Sequence, residues 1–278
     1  MRQTGLPNPL PRLFLRLAGG ALILALLGGC ASVTDGADER DPLEPFNRAI
    51  YRFNDAADRY VIKPVATDYR EHVPRPVQTG IANFFGNLQD VIVLVNDLLQ
   101  LKVEQGMSDF GRIVYNTTFG LVGLVDVASY LGLPKHDEDF GQTLGYWGVP
   151  PGPYLVLPFL GPSNIRDSVG LVGDIYVHPM FQGLITDESV SLGAVALRYI
   201  DLRSQLLGAS RVVDEAALDP YAFIRDAYLQ RRRNLVYDGN PPPEPRDDFI
   251  PDDNADADLE LELEKTPPAS PTPDKGHP

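Results

Sequence analysis

Cys30 is the residue whose chemistry is most closely specified by its neighbours. It is the single cysteine among 278 residues. It follows Leu27-Gly28-Gly29, an aliphatic residue three positions back and then two small ones. Arg2, Arg12 and Arg16 make a positive leader, and Leu17 to Leu27 an apolar run. At about eleven residues that run is too short to span a bilayer as a helix. The order is that of a bacterial lipoprotein signal, a targeting segment outside the fold. A thiolate at Cys30 would accept a diacylglycerol, so residues 1–29 are expected to be signal peptide and 30–40 a linker after the lipidated cysteine. The alternative is an ordinary cleaved signal whose first mature residue happens to be Cys. Ala31 stands where Asp would signal inner-membrane retention, which favours delivery to the outer membrane.

Other reactive constellations are missing. His72, His136, His178 and His277 show no metal-ligand spacing along the chain, and no second thiol could assist them. No G-x-S-x-G elbow or Walker loop is present. Ser168, Asp174 and His178 lack the strand-turn-helix context of a catalytic triad. The expectation is therefore a non-enzymatic protein with no cofactor beyond the covalent lipid on Cys30. One cysteine also leaves no disulfide framework in an oxidising compartment. Formal charge is −14, and loss of the three signal arginines takes it to −17. Nucleic acid is an unsuitable partner for such an acidic chain. From Asp238 to Pro278 stand 12 acidic and 3 basic residues among many prolines. A segment this polar buries too little to offset its ordering entropy, so 238–278 is expected to be a disordered acidic tail.

The elements that must hold this chemistry read as helices. Asp41-Pro42 with Glu44 resembles a capped helix start. Phe46, Ile50, Phe53, Ala57 and Tyr60 then follow at steps of four and three, one apolar face. Pro64 restarts a short helix that ends before Pro74. Leu88, Val91, Ile92, Val95, Leu98 and Leu99 mark a further face. Thr186 can cap a helix ending near Gly208, Ser163 to Asp167 reads as another helix start, and Asp219-Pro220 opens the last. Arg231-Arg232-Arg233 suits a helix C-terminus. No run of alternating strands is apparent. The fold class is mainly α, one domain over 41–237.

The middle is poor in charge. Phe140 to Ile165 carries none, and the whole of 140–186 only Arg166, Asp167 and Asp174. Pro150-Pro151, Pro153, Pro158 and Pro162 exclude a transmembrane helix there. Ile113–Pro134 holds only Asp126 and is loosened by Gly120, Gly123 and Gly132. Two readings stay open: buried core of a soluble domain, or segments partly sunk in a bilayer with irregular backbone packed on itself. Trp147, Tyr146 and Tyr154 are amphipathic aromatics suited to headgroup depth or to a core.

Several motifs in one order carry a resemblance. Asp41-Pro42-Leu43-Glu44-Pro45-Phe46-Asn47-Arg48, Val95-Asn96-Asp97-Leu98-Leu99-Gln100, Asn116-Thr117-Thr118-Phe119-Gly120, Asp139-Phe140-Gly141-Gln142-Thr143-Leu144-Gly145 and Asp219-Pro220-Tyr221 are among them. Over about 41–235 the chain closely resembles the MlaA (VacJ) family of outer-membrane lipoproteins. The resemblance implies a single ring-like helical domain partly embedded in the inner leaflet of the outer membrane, on its periplasmic face. It implies association with a trimeric outer-membrane porin. It also implies retrograde transport: misplaced phospholipids are removed from the outer leaflet and handed to a soluble periplasmic carrier, which feeds an ATP-driven inner-membrane complex. Lipid asymmetry would be maintained in this way. The alternative is a structural lipoprotein tethering the outer membrane to division or envelope partners.

Two segments are expected to gate or orient that path. Gly120–Leu131 is expected to move as a hairpin, with Gly120 and Gly123 as hinges and Asp126 needing a polar partner or water. In the first helix, Phe46 is expected to hold the apolar side while Asn47 or Arg48 faces headgroups or a channel mouth. Simple capping and packing is the alternative there.

Overall fold

The structure, a computed structural model, describes residues 38, 40–180 and 187–243. Cys30, Thr186 and most of the acidic tail lie outside the described residues. Helices dominate: α1 (Glu44–Ala57), a π-helical turn (Asp58–Ile62), α2 (Lys63–His72), α3 (Arg75–Leu99), α4 (Val103–Thr118) and the short α5 (Val127–Tyr130) and α6 (Phe140–Tyr146). Strands β1 (Tyr154–Leu157) and β2 (Gly161–Asn164) follow, then α7 (Ile165–Val177), α8 (Glu188–Gln205), α9 (Leu207–Ala216) and α10 (Pro220–Val236).

Side-chain caps set several starts. Asn164 accepts from the Asp167 amide at α7, Asp187 from Ser189 and Val190 at α8, and Asp219 from Tyr221 and Ala222 at α10. The first helix departs from expectation. It begins at Glu44 with Leu43 in the capping position, because Asp41 is spent elsewhere. Asp41 is buried and accepts from the Asn47 side-chain amide and the Tyr221 hydroxyl. Gly208 does not end a helix but lies within α9. A strand pair is present where none was expected: β1 and β2 are antiparallel, pairing Tyr154 with Asn164 and Leu157 with Gly161.

The elements pack in a closed circuit. The α1–α2 arm packs on α8, α8 on α3, and α3 on both α4 and α7. From there α7 packs on α6, α6 on α10, α10 on β2, and β1 back on α1. Hydrophobic cores are small. One joins Phe85, Leu88 and Met180, and another Tyr154, Val156 and Tyr221. Among the described residues, buried polar and charged side chains outnumber buried apolar ones twenty to eleven. An ordinary water-soluble domain has the opposite balance. The apolar residues have to be sought on the outside.

Candidate functional site

Helix α4 shows where they went. Val103, Met107, Phe110 and Val114 recur at steps of four, three and four, a single helical stripe. That stripe points outward, with Met107 64% and Phe110 51% exposed. The opposite face turns inward and carries Gly106, Asp109, Arg112 and Asn116. Helix α7 repeats the arrangement, with Ile165, Val169, Val172 and Tyr176 exposed and Arg166 buried. In water each large apolar side chain left uncovered forgoes about 1.5–3 kcal/mol of transfer free energy. A helix with charge inside and an unbroken apolar stripe outside is matched to acyl chains. Among the described residues no helix is long and apolar enough to cross a membrane.

Arg112 explains how the inward face tolerates charge. It is 1% exposed, and its guanidinium reaches Asp126 at 3.0 and 3.1 Å, the Leu133 carbonyl at 2.8 Å, Ser129 Oγ at 3.2 Å and Asp90 at 3.4 Å. Lys135 adds a second cation on Asp90 at 2.6 Å. Asn116 donates to Asp126 and accepts from the Ala128 amide. The partner that Asp126 was expected to need is therefore Arg112. Asp126 also caps α5 by accepting from the Ser129 amide. Burial pushes the Asp126 carboxyl up, but hydrogen bonds from Ser129, Arg112 and Asn116 outweigh it and hold the pKa at about 2.

The same turn sets the surroundings of Gly120 and Gly123. A Cβ on Gly120 would stand 2.1 Å from the Val125 carbonyl oxygen. Gly123 has φ +90° and its missing Cβ would lie 2.7 Å from that of Asn87. Both glycines permit close approach, and the turn is tied by Gly123 N–H to the Asn116 carbonyl and Val125 N–H to the Gly120 carbonyl. Between them Leu121 and Val122 hold left-handed backbone at φ 52° and 60°. That is a strained conformation for a β-branched residue. Both side chains are exposed, with Phe119 beside them.

Asn47 takes the packing side of the expectation for α1. Its side chain is fully buried, donating to Asp41 and to the Tyr154 carbonyl, and accepting from the Val156 amide at 2.9 Å. It clamps α1 to β1 and is shielded from the surface. Phe46 and Phe53, on the apolar face of α1, are exposed. Arg48 stays half-exposed, pairing with Glu44 and Asp219 and lying 4.3 Å over the Tyr221 ring. Of the aromatics proposed for headgroup depth, Tyr146 and Trp147 are exposed whereas Tyr154 is buried in the core. Arg232 does more than favour a helix end. It binds Asp139 and Asp167 across α6, α7 and α10. Ser168 bonds Ser163, and Asp174 accepts from the Asn96 side chain and the Phe140 amide.

Reading the sequence along the chain also missed a buried cluster. Asp97, Asp109 and His136 approach one another inside the α3–α4 hairpin, with donor atoms within 4.8 Å. The first two are fully buried. Burial and the adjacent Asp109 carboxyl push Asp97 well above the ordinary carboxylate range. Asp109 and Arg112 could have been found from α4, since they stand at 3.6-residue spacing opposite the apolar stripe.

Comparison with known proteins agrees with this construction. Residues 39–235 match the family model described as MlaA lipoprotein. The intermembrane phospholipid transport system lipoproteins MlaA of Shigella flexneri and of Escherichia coli K12 are each 41% identical over 254 residues, covering 88% of this chain and 99% of theirs. The Haemophilus influenzae protein of that name is 34% identical, over 79% of this chain and 90% of its own. A solved structure described as "Structural basis for maintenance of bacterial outer membrane lipid asymmetry" superposes with a TM-score of 0.63 at 37% identity, covering 70% of this chain and 98% of that one. Mainly helical, closed on itself, and alike across nearly the full length of these relatives, the chain belongs to the MlaA lipoprotein family.

Proposed function

We propose that this protein is an outer-membrane lipoprotein that withdraws misplaced phospholipid from the outer leaflet and passes it toward the periplasm. The observation that carries the reading is the sidedness of α4, apolar outside and charged inside. That sidedness fits a chain lying in one leaflet, with Cys30 as its lipid anchor. A headgroup drawn through hydrocarbon without polar shelter costs several kcal/mol. The closed circuit of elements, with its polar interior, offers such shelter. The relatives bear the name of an intermembrane phospholipid transport system, and the same role is inferred here. A trimeric porin would hold the protein in place, and a soluble periplasmic carrier feeding an ATP-driven complex would receive the lipid. No chemical step is needed for this, and the role is transport rather than catalysis.

Within this reading Asn47 fixes the orientation of α1 against the hairpin, and Phe46 is its lipid-facing neighbour. The Gly120–Asp126 turn, anchored by Arg112, presents Phe119, Leu121 and Val122 to acyl chains. The test is a deletion strain. Outer-leaflet phospholipid, measured as lipid cleaved by phospholipase added to intact cells, should rise several-fold and return to normal on complementation. Unchanged asymmetry with misshapen septa would refute transport and favour tethering.

A further inference from the structure

Three side chains from three separate parts of the fold meet at one buried point. Asp97 comes from the last turns of α3, Asp109 from the middle of α4, and His136 from the loop before α6. His136 Nδ1 lies 2.7 Å from Asp109 Oδ2. The other three carboxylate oxygens, Asp97 Oδ1 and Oδ2 and Asp109 Oδ1, receive no hydrogen bond. Both aspartates are fully buried. A buried carboxylate without a partner is costly, and two side by side are costlier still. Nearby protein cations are engaged elsewhere. Lys102 binds Glu138 at 2.7 Å, and Arg112 is held by Asp90 and Asp126.

We propose that Asp97, Asp109 and His136 form a site for one divalent transition-metal cation of the zinc type. Two carboxylate oxygens and one imidazole nitrogen are a donor set that suits zinc, with three protein ligands and a fourth position left for water or another donor. Tetrahedral bonds of about 2.1 Å place ligand atoms roughly 3.4 Å apart. Donor atoms already within 4.8 Å of one another reach that spacing by side-chain adjustment. The ion would neutralise the paired carboxylates and staple the closed end of the α3–α4 hairpin to the loop at 131–139. That loop is also held by Gln100 and Lys102 on Glu138. The site departs from the expectation of no cofactor beyond lipid, because its ligands are 12 and 27 residues apart and show no local spacing.

The test uses the full chain in detergent, purified without a polyhistidine tag. It is stripped with a chelator, reloaded with Zn²⁺, desalted, and its metal measured by mass spectrometry. Wild type should retain close to one zinc per chain. His136→Gln and Asp97→Asn should each retain at least tenfold less while keeping the wild-type circular dichroism. His136 is partly exposed, so its replacement leaves the packing of α3 on α4 in place. Wild type retaining less than a tenth of an equivalent would overturn the proposal and leave a proton shared between the two carboxyls as the means of neutralisation. Equal retention by wild type and both variants would overturn it too, placing the zinc elsewhere.

Discussion

Asp126 and Asn47 show how single side chains hold irregular backbone in this fold. Asp126 has a folded pKa of about 2 against an ordinary 3.8. The unfolded chain therefore takes up the proton more readily as pH falls. Its stabilising contribution is complete above about pH 4 and disappears as pH drops through 2, a loss of at most about 2 kcal/mol. Acid unfolding followed by circular dichroism should show that slope between pH 4 and 2, and Asp126→Asn should flatten it. Asn47 serves two backbone groups of β1 at once. Asn47→Ala leaves the Tyr154 carbonyl and the Val156 amide buried without partners, at about 1–3 kcal/mol each. Thermal unfolding in detergent should show a clear drop in midpoint, whereas Arg48→Ala, on the half-exposed neighbour, should cost far less.

Among the elements, several helix starts were legible and sidedness was not. Asp219-Pro220 and the Ser163–Asp167 start became helix caps because short polar side chains satisfy amides locally, whatever surrounds them. The apolar stripe of α1 was visible as periodicity, yet period alone does not say whether a stripe faces a core or a lipid. Asp41 looked like a cap but is claimed by Asn47 and Tyr221, the latter 180 residues away. The β-hairpin was hidden because its strands are four residues each and the second opens on Gly161-Pro162. The close approach that Gly120 and Gly123 permit was not legible in the sequence either, because it depends on Val125 and Asn87 packing against them. Gly120→Ala should accordingly reduce abundance in the membrane fraction sharply, since its Cβ meets a backbone oxygen that cannot swing away. Quantitative immunoblotting against wild type checks this, and normal abundance would show that the close approach at Gly120 is dispensable.

For the whole molecule, anchoring and immersion add to each other. A diacylglycerol on Cys30 would supply more than one acyl chain, enough for stable attachment, and the exposed apolar faces would add to it. Cys30→Ser should leave the protein unprocessed and depleted from the outer membrane, as fractionation and acyl labelling would show; acylation persisting in the variant would exclude Cys30 as the acceptor. The central claim is that charge lies inside and apolar surface outside because the surroundings are lipid. Nitroxide labels on single cysteines introduced at Met107, Phe110 and Val114 test it most directly, in outer-membrane vesicles from cells making the lipidated protein. The labels should be readily relaxed by dissolved oxygen and protected from a water-soluble nickel chelate. Strong relaxation by the chelate at all three positions would place the α4 stripe in water and contradict the account.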